Sequence, residues 1–488
     1  MRGARLAYLP ETYAKGYRAC RATHNKRPVS TPLKKIKSFD RSLVEGPIGP
    51  AVWKIAWPTM LQNIIAGLQG IIDHAMVGHF VGYTANAAIG VSWQIVIVVI
   101  VFASTVFSGM GVLVARFAGA NQPHMVNRVV YQSFLTAAGM SAVLGAAGWL
   151  AAPSLLDLVN AAPEVRAQAL PFLRPMLVGI LGMMVFFMLS AAFRSAGDSR
   201  TPLRLGVMMT VLTIIFNVVL IPLLGTLGAA LGTIASSTIV ALYGLWKLTR
   251  PESVIHFEPG MSKTPDFAII RELFRFGLPT GFQGIAMNIA GLLLLRFIGS
   301  LPQSAAAQAA YAVGYTELFS LVTWTSVGLM GAAATISGQN LGAGHPERVI
   351  EGVCVASRIG LVLAATIGVL FLALPRQLLA VFGLTDPAVS EIGAQLLRYL
   401  AVSGLFVTVA LCYTGALQGT GDTRGPLYIS IVSQIIVPLG LCAVLQARGS
   451  LTAGGIWSAI VLGHMTRCGL SVARFRLQKW REIQVRIS

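Results

Sequence analysis

Asp73 stands inside a long apolar run, in the segment Ile71-Ile72-Asp73-His74-Ala75-Met76. An ionised carboxylate at the centre of a membrane helix costs about 2.5–3.5 kcal/mol on insertion scales. Most of the 18 Asp and Glu residues avoid that cost by lying in polar connecting segments or tails. Asp73 does not, and the chemistry open to it is reversible cation binding, a proton exchanged for another positive group. The plainer alternative is a helix-end residue facing water. Its neighbour His74 lies about 100° away around a helix and need not face the same pocket; it either tunes a pH response or packs as a satisfied side chain. In the second half of the chain the main membrane acid is Glu317, in Tyr315-Thr316-Glu317. It is a candidate substrate or coupling contact, attracting a cation or pairing with a basic group. A structural hydrogen bond explains it equally well. No HExxH, GxSxG or paired-carboxylate pattern is present, which argues against an embedded enzyme. The five cysteines, Cys20, Cys354, Cys412, Cys442 and Cys468, lack metal-ligand spacing and are expected to be small buried hydrophobes. No cofactor is expected from these residues.

The elements that must hold these residues are membrane helices. Charged residues make up 11% of the chain and hydrophobic ones 55%, against about 25% charge in a soluble domain. Twelve apolar runs are long enough to span a bilayer: 51–81, 87–115, 126–151, 166–192, 202–224, 226–248, 268–299, 307–337, 348–374, 389–417, 426–446 and 452–472. Backbone groups in hydrocarbon must be satisfied within each segment, so these runs are helices. The short alternating segments of a barrel are absent. The expected fold is an all-α membrane protein of twelve transmembrane helices.

The net charge of +19 is not a nucleic-acid signature. With the N-terminus in the cytoplasm, 31 of the 37 Lys and Arg fall on the cytoplasmic side, as the positive-inside rule requires. Both termini are thus placed in the cytoplasm and the protein in the plasma (inner) membrane, its basic ends meeting anionic headgroups. A small organic substrate and a monomeric state complete the expected partners. Residues 1–50 are polar and basic without a signal-type apolar core and are expected to be a disordered tail. Residues 476–488 form a basic C-terminal tail.

The chain is internally duplicated. Gly197-Asp198-Ser199-Arg200 returns as Gly421-Asp422-Thr423-Arg424, Pro202 as Pro426 and Ala192 as Ala416. Trp57-Pro58-Thr59 at the start of the first helix matches Leu278-Pro279-Thr280 at the start of the seventh. Phe117-Ala118-Gly119-Ala120 matches Asn340-Leu341-Gly342-Ala343, and Leu173-Arg174 matches Leu397-Arg398. Six helices per half means that both halves start on the same side, giving two pseudo-symmetric lobes, 51–248 and 268–475, joined by a cytoplasmic linker, 249–267. Parallel repeats of this kind are a mark of transporters with a site between the halves.

On these motifs the sequence resembles the multidrug and toxic compound extrusion (MATE) family over roughly residues 51–475. Gly338-Gln339-Asn340-Leu341-Gly342-Ala343-Gly344 resembles the family's GQNxGAG segment. The two GD[ST]RxP loops resemble those after its fourth and tenth helices, and Asp73-His74-Ala75-Met76-Val77-Gly78 resembles its DTxMxG segment. The resemblance implies two six-helix lobes around a central cavity and export of organic, often cationic, compounds by alternating access in exchange for H⁺ or Na⁺. It also implies that Asp73 is the ion-coupling acid, adjoined by Asn217 in the fifth helix and Thr233 in the sixth. The neutral oxygens of Asn217 and Thr233 suit a Na⁺ shell or a hydrogen-bond network; such residues are otherwise helix–helix glue. Two departures matter. Ile221 stands where many prokaryotic members carry a second acid, which favours proton coupling. Met287 and Val407 are apolar where other members place coupling acids in the second lobe.

Three further expectations concern packing. Met183, Met184, Phe186, Phe187 and Met188 of the fourth helix either line a soft substrate surface or, the favoured reading, face lipid. The GD[ST]R loops have sufficient structural reason in turn and cap formation. The arginines lie at helix ends and loops, Arg174 and Arg398 as snorkelling anchors or as staples within the lobes, which argues against a lipid or lipid-linked oligosaccharide flippase of the same superfamily with a basic cavity.

Overall fold

The computed structural model describes residues 39–158, 162–250, 252–257 and 264–485. Among them the chain is helical, and each expected apolar run falls on one helical span. In chain order these are α1 (Ile48–Phe80), α2 (Tyr83–Gly119), α3 (Pro123–Leu158), and α4, which is bent by 53° between Pro163–Val178 and Ile180–Ser195. Next come α5 (Arg200–Leu224), α6 (Thr226–Leu248) and α7 (Phe267–Gly299). Span α8 runs over 304–342, α9 is Pro346–Ala373, α10 is Pro387–Gly419, α11 covers 424–447 and α12 is Ala453–Arg476. The bend in α4 has a covalent cause. Pro171 and Pro175 lack the N–H that would hold the preceding turn, and Gly179 follows them.

Nine spans are individually long and apolar enough to cross a membrane, and the bent α4 makes a tenth. The other two, α1 and α12, are 33 and 24 residues long. They are more polar because of the side chains they carry within the span: Gln62, Asn63, Gln69 and Asp73 in α1, His464 and Arg467 in α12. The protein is an all-α membrane protein with twelve transmembrane helices in two pseudo-symmetric six-helix lobes.

Each lobe has its own apolar core. One cluster lies wholly within the first half, from Val77 to Ala230, and another wholly within the second, from Leu294 to Ile460. The lobes meet where α1 packs on α8 and α2 on α7. A further core cluster belongs to this seam and joins Ile55, Ala56 and Met60 to Leu329, Ala332 and Ile336.

At the end of the bundle that bears residues 39–47 and 476–485, the seam is closed by reciprocal contacts between equivalent positions of the two halves. A Cβ on Gly119 would lie 1.9 Å from the Gln339 carbonyl oxygen, and one on Gly342 would lie 2.1 Å from that of Arg116. Only glycine permits backbones this close. The side chains of the same two residues cross the seam. Gln339 Nε2 donates to the Ser195 carbonyl at 2.8 Å, and Arg116 Nη2 donates to the Thr420 carbonyl at 2.7 Å. The acceptors lie immediately before the repeated loops, so the duplicated motif also supplies the contacts of the closed end.

Both loop glycines have the left-handed backbone that favours glycine, φ +96° at Gly197 and +95° at Gly421. Asp198 accepts from the Thr201 amide at 3.1 Å and Asp422 from that of Gly425 at 3.0 Å. These are the turn and cap roles expected from the residue types. Ser199 adds one that was not expected. Pro58 has no N–H for the carbonyl of Lys54, one turn earlier, and Ser199 Oγ supplies the missing donor at 2.9 Å.

The expected tail boundary at residue 50 is corrected. Residues 39–50 are ordered, with a short helix Ser42–Glu45 ahead of α1. Leu43 is fully buried beside Gly197 of the first lobe, and its carbonyl accepts from Asn340 Nδ2 of the second at 3.2 Å. Arg348 Nη2 bonds the Gly46 carbonyl at 2.6 Å. Residues 1–38 lie outside the described residues. The C-terminal segment is likewise tied down in part. Trp480 is buried against Phe475, and Arg116 Nη2 reaches the Ile483 carbonyl.

Candidate functional site

The first lobe encloses a cavity of about 360 Å³ between α1, α2, α4, α5 and α6. Asp73, Asn217 and Thr233 all lie on its wall. Asn217, 1% exposed, donates from Nδ2 to Asp73 Oδ1 at 2.9 Å. Gln69, one turn before Asp73, is its second amide partner, and Gln69 Oε1 is held by Thr210 Oγ1 at 2.8 Å. The carboxylate is thus gripped by neutral donors from α1 and α5. Asn217 is fixed from behind, since a Cβ on Gly232 of α6 would meet its Oδ1 at 2.3 Å. That Oδ1 is buried without a hydrogen-bond partner.

Thr233 shares the cavity but spends its hydroxyl on its own helix, bonding the Ala229 carbonyl at 3.1 Å. Ile221 is 1% exposed and packs in the apolar core. Glu317 is half-buried in a π-helical segment of α8, Ala312–Leu318, and is not on the wall of this cavity. The geometry therefore joins Asp73 to Asn217, brings Thr233 near, and leaves Glu317 in the other lobe.

Two expectations about the wall are corrected. The sequence leaves a third point open, and here His74 lines the same cavity as Asp73; a cavity bounded by five helices spans more than one residue's sector of α1. Met183, Phe186 and Phe187 line it too, while Met184 and Met188 are buried in the core, so the lipid-facing reading fails for all but part of the Phe187 ring. Finally, the arginines are not confined to ends and loops. Arg194 lies on the cavity wall towards the closed seam, its Nε 3.3 Å from the position of a Cβ on Gly331 of α8. Arg467 of α12 is 5% exposed. Arg194 does close its helix, in the last turn before Ser195, whereas Arg467 lies more than two turns inside α12. The available signal was a single Arg within a turn of a span. Arg174 behaves differently from a plain snorkel, lying 5.2 Å over the Trp149 ring.

A carboxylate held by amides in a low-dielectric cavity, beside a flexible Met and Phe surface, can bind one cation at a time next to an adaptable apolar body. Comparisons with known proteins identify the family. The MatE family model matches residues 58–219 and again 279–444. The two matches open on Pro58 and Pro279, the equivalent prolines of the two halves. The chain is 26% identical to a protein named probable multidrug resistance protein NorM from Thermotoga maritima, covering 88% of this chain and 92% of that one. It is 24% identical to multidrug resistance protein MdtK from Pectobacterium atrosepticum, covering 86% and 94%. Among solved structures, an outward-facing multidrug resistance MATE family transporter of the MOP superfamily superposes with a TM-score of 0.85 at 19% identity, covering 92% of this chain and 100% of that one. The fold, the duplicated segments and the two-fold match of the family model agree: the chain belongs to the MatE family of efflux transporters.

Proposed function

We propose that the protein exports organic, cationic or amphipathic compounds across the plasma membrane in exchange for H⁺, with Asp73 as the coupling carboxylate. The observation that carries this reading is the Asp73–Asn217 pair on the wall of a cavity with a Met and Phe lining. An ionised Asp73 in that setting is costly unless a positive charge offsets it. A proton and a cationic substrate both do so, and they cannot do so together. Substrate binding therefore favours the deprotonated state and protonation favours release, which is the condition for exchange. Asn217 and Gln69 hold the carboxylate in one place in both states, as donors to its oxygens.

Alternating access requires that only one end of the cavity be open. The reciprocal seam at Gly119, Gly342, Arg116 and Gln339 supports an outward-facing state here, taking that end as cytoplasmic on the charge distribution. Na⁺ is the second candidate. The unpartnered Asn217 Oδ1 and the Thr233 hydroxyl are neutral oxygens of the right class beside one carboxylate. The lack of a second acid at Ile221 favours H⁺. Purified protein in proteoliposomes decides between them. A pH gradient alone, in Na⁺-free buffer, is expected to drive uptake of a cationic dye into the acidic interior of outward-facing vesicles. An absolute requirement for Na⁺ would overturn proton coupling.

A further inference from the structure

At the closed end of the bundle, the first turns of α5 and the last turn of α6 frame two adjoining cavities, of about 180 and 360 Å³. Nothing above uses them. Arg200 and Arg204, one turn apart on α5, line the smaller, and Arg250 lines the larger. Lys247 of α6 lines both, and its Nζ donates to Thr201 Oγ1 at 2.8 Å, which ties the two helices together. The start of the linker closes the far wall. The Ser253 amide donates to the Arg250 carbonyl at 3.0 Å and the Phe257 amide to the Leu248 carbonyl at 2.9 Å, so the chain folds back over the end of α6.

The pair of cavities is electropositive. Arg200 and Arg204 are exposed and form no ion pair or hydrogen bond among the described residues. Asp198 and Glu252 share the wall, but Asp198 is spent on Thr201, accepting from its amide at 3.1 Å and its hydroxyl at 2.7 Å. Four cations outnumber these two acids. Ser253, on both walls, is 5% exposed, and its Oγ is buried with no hydrogen-bond partner; a buried hydroxyl calls for one. The repeated loop does not itself require this cluster. In the second lobe Tyr428 stands at the position of Arg204, and Asp422 is paired with Arg474 at 2.7 Å.

The cavities open beside an apolar surface. Ile239, Leu242, Tyr243 and Trp246 form an exposed stripe at helical spacing along α6, and the stripe ends at Arg250. Trp246 stacks on Tyr243 at 5.8 Å and carries the Arg250 guanidinium 4.5 Å from its ring centre. Tyr and Trp at the end of a span mark the headgroup level of a bilayer, and basic pockets between membrane helices suit acidic headgroups.

We propose that these cavities seat the headgroup of an anionic phospholipid from the leaflet at that end, with Arg200, Arg204 and Lys247 around its phosphate and its acyl chains along the α6 stripe. A soluble phosphate would meet the cations but leave the stripe unused. A choline headgroup would set its own cation against the arginines. The site is separate from Asp73 and stands or falls without it.

The test is native mass spectrometry of the full-length protein in detergent, titrated with dioleoyl phosphatidylglycerol or dioleoyl phosphatidylcholine. Phosphatidylglycerol is expected to saturate one site, and phosphatidylcholine to bind about tenfold more weakly. The double variant Arg200→Gln, Arg204→Gln is expected to weaken phosphatidylglycerol binding about tenfold. Arg271→Gln, Arg424→Gln removes the same charge from exposed positions of the second lobe and is expected to leave binding unchanged. Millimolar inorganic phosphate is expected not to displace the lipid. The comparison of the two lipids on the wild type decides the matter even if a variant does not fold. Equal binding of the two lipids, undiminished binding in folded Arg200→Gln, Arg204→Gln, an equal loss in both double variants, or displacement by inorganic phosphate would each overturn the proposal.

Discussion

Asn217 Nδ2 donates a hydrogen bond to Asp73 Oδ1 at 2.9 Å, across 144 positions of sequence. The bond ties α1 to α5 on the wall of the first-lobe cavity. It stabilises the ionised carboxylate more than the protonated one, because the donor meets the full negative charge.

Replacing Asn217 with Leu keeps the volume of the side chain and removes the donor. Hydrogen bonds to charged groups contribute about 1.5–3 kcal/mol, so Asp73 holds its proton more tightly in the variant. The pH optimum of dye efflux is expected to move upward and the maximal rate to fall about tenfold. Efflux measured over a pH series in inverted vesicles checks both. An unshifted profile would mean that the pair is structural.

The closed seam has no room at Gly119. Leucine there would need space now held by the Gln339 carbonyl, 1.9 Å from the Cβ position. Gly119→Leu is expected to insert in the membrane but to abolish transport by blocking closure. Gly139→Leu, where no heavy atom lies within 4 Å, is expected to transport normally. Dye efflux at matched expression compares the two.

The methionines of α4 separate by role. Met184 is 1% exposed in the core, whereas Met183 lines the cavity. Met184→Ala is expected to cost about 2–5 kcal/mol, as buried Met truncations do, and to lower the melting temperature of the purified protein. Met183→Ala is expected to change the rank order of exported compounds more than the melting temperature. Thermal denaturation and an efflux panel together distinguish them.

Asp40 forms an ion pair with Lys54 and accepts from Ser42 Oγ at 2.6 Å. Partial burial pushes its carboxyl pKa up, but Lys54 and Ser42 outweigh burial and hold it below the usual carboxylate value. A depressed folded pKa contributes stability above the unfolded value, which is lost as pH falls through the folded one. The segment 39–47 is therefore expected to stay docked at neutral pH and to loosen only below about pH 4. The pair is partly exposed, so its contribution is at most about 1 kcal/mol. Hydrogen exchange at residues 43–46, followed from pH 7 to pH 3 and corrected for intrinsic rates, checks the direction.

The twelve spans were legible because hydrocarbon leaves a chain few alternatives to apolar helices. The duplication was legible because Gly197 and Gly421 must occupy the same unusual backbone region. Asp73 stood out because an acid in an apolar run is costly. What it touches was not legible from its own segment, since Asn217 and Gln69 acquire meaning only when α1 and α5 pack. Arg467 was hidden by its place near the basic end of α12, where a snorkelling residue and a buried one look alike. Leu43 was hidden for the opposite reason, a short apolar pair with Val44 in a polar tail, whose burial depends on contacts with Gly197 and Asn340. The π segment of α8 leaves no trace in composition, because one extra residue per turn barely alters apolar periodicity.

The most direct measurement is cationic-dye efflux by Asp73→Asn in a pump-deficient strain, at expression matched to the wild type. Asparagine keeps the size and the hydrogen-bonding capacity of the side chain but cannot exchange a proton for a cation. Coupling through Asp73 predicts loss of efflux with the protein folded and inserted. Full retention of efflux would contradict it.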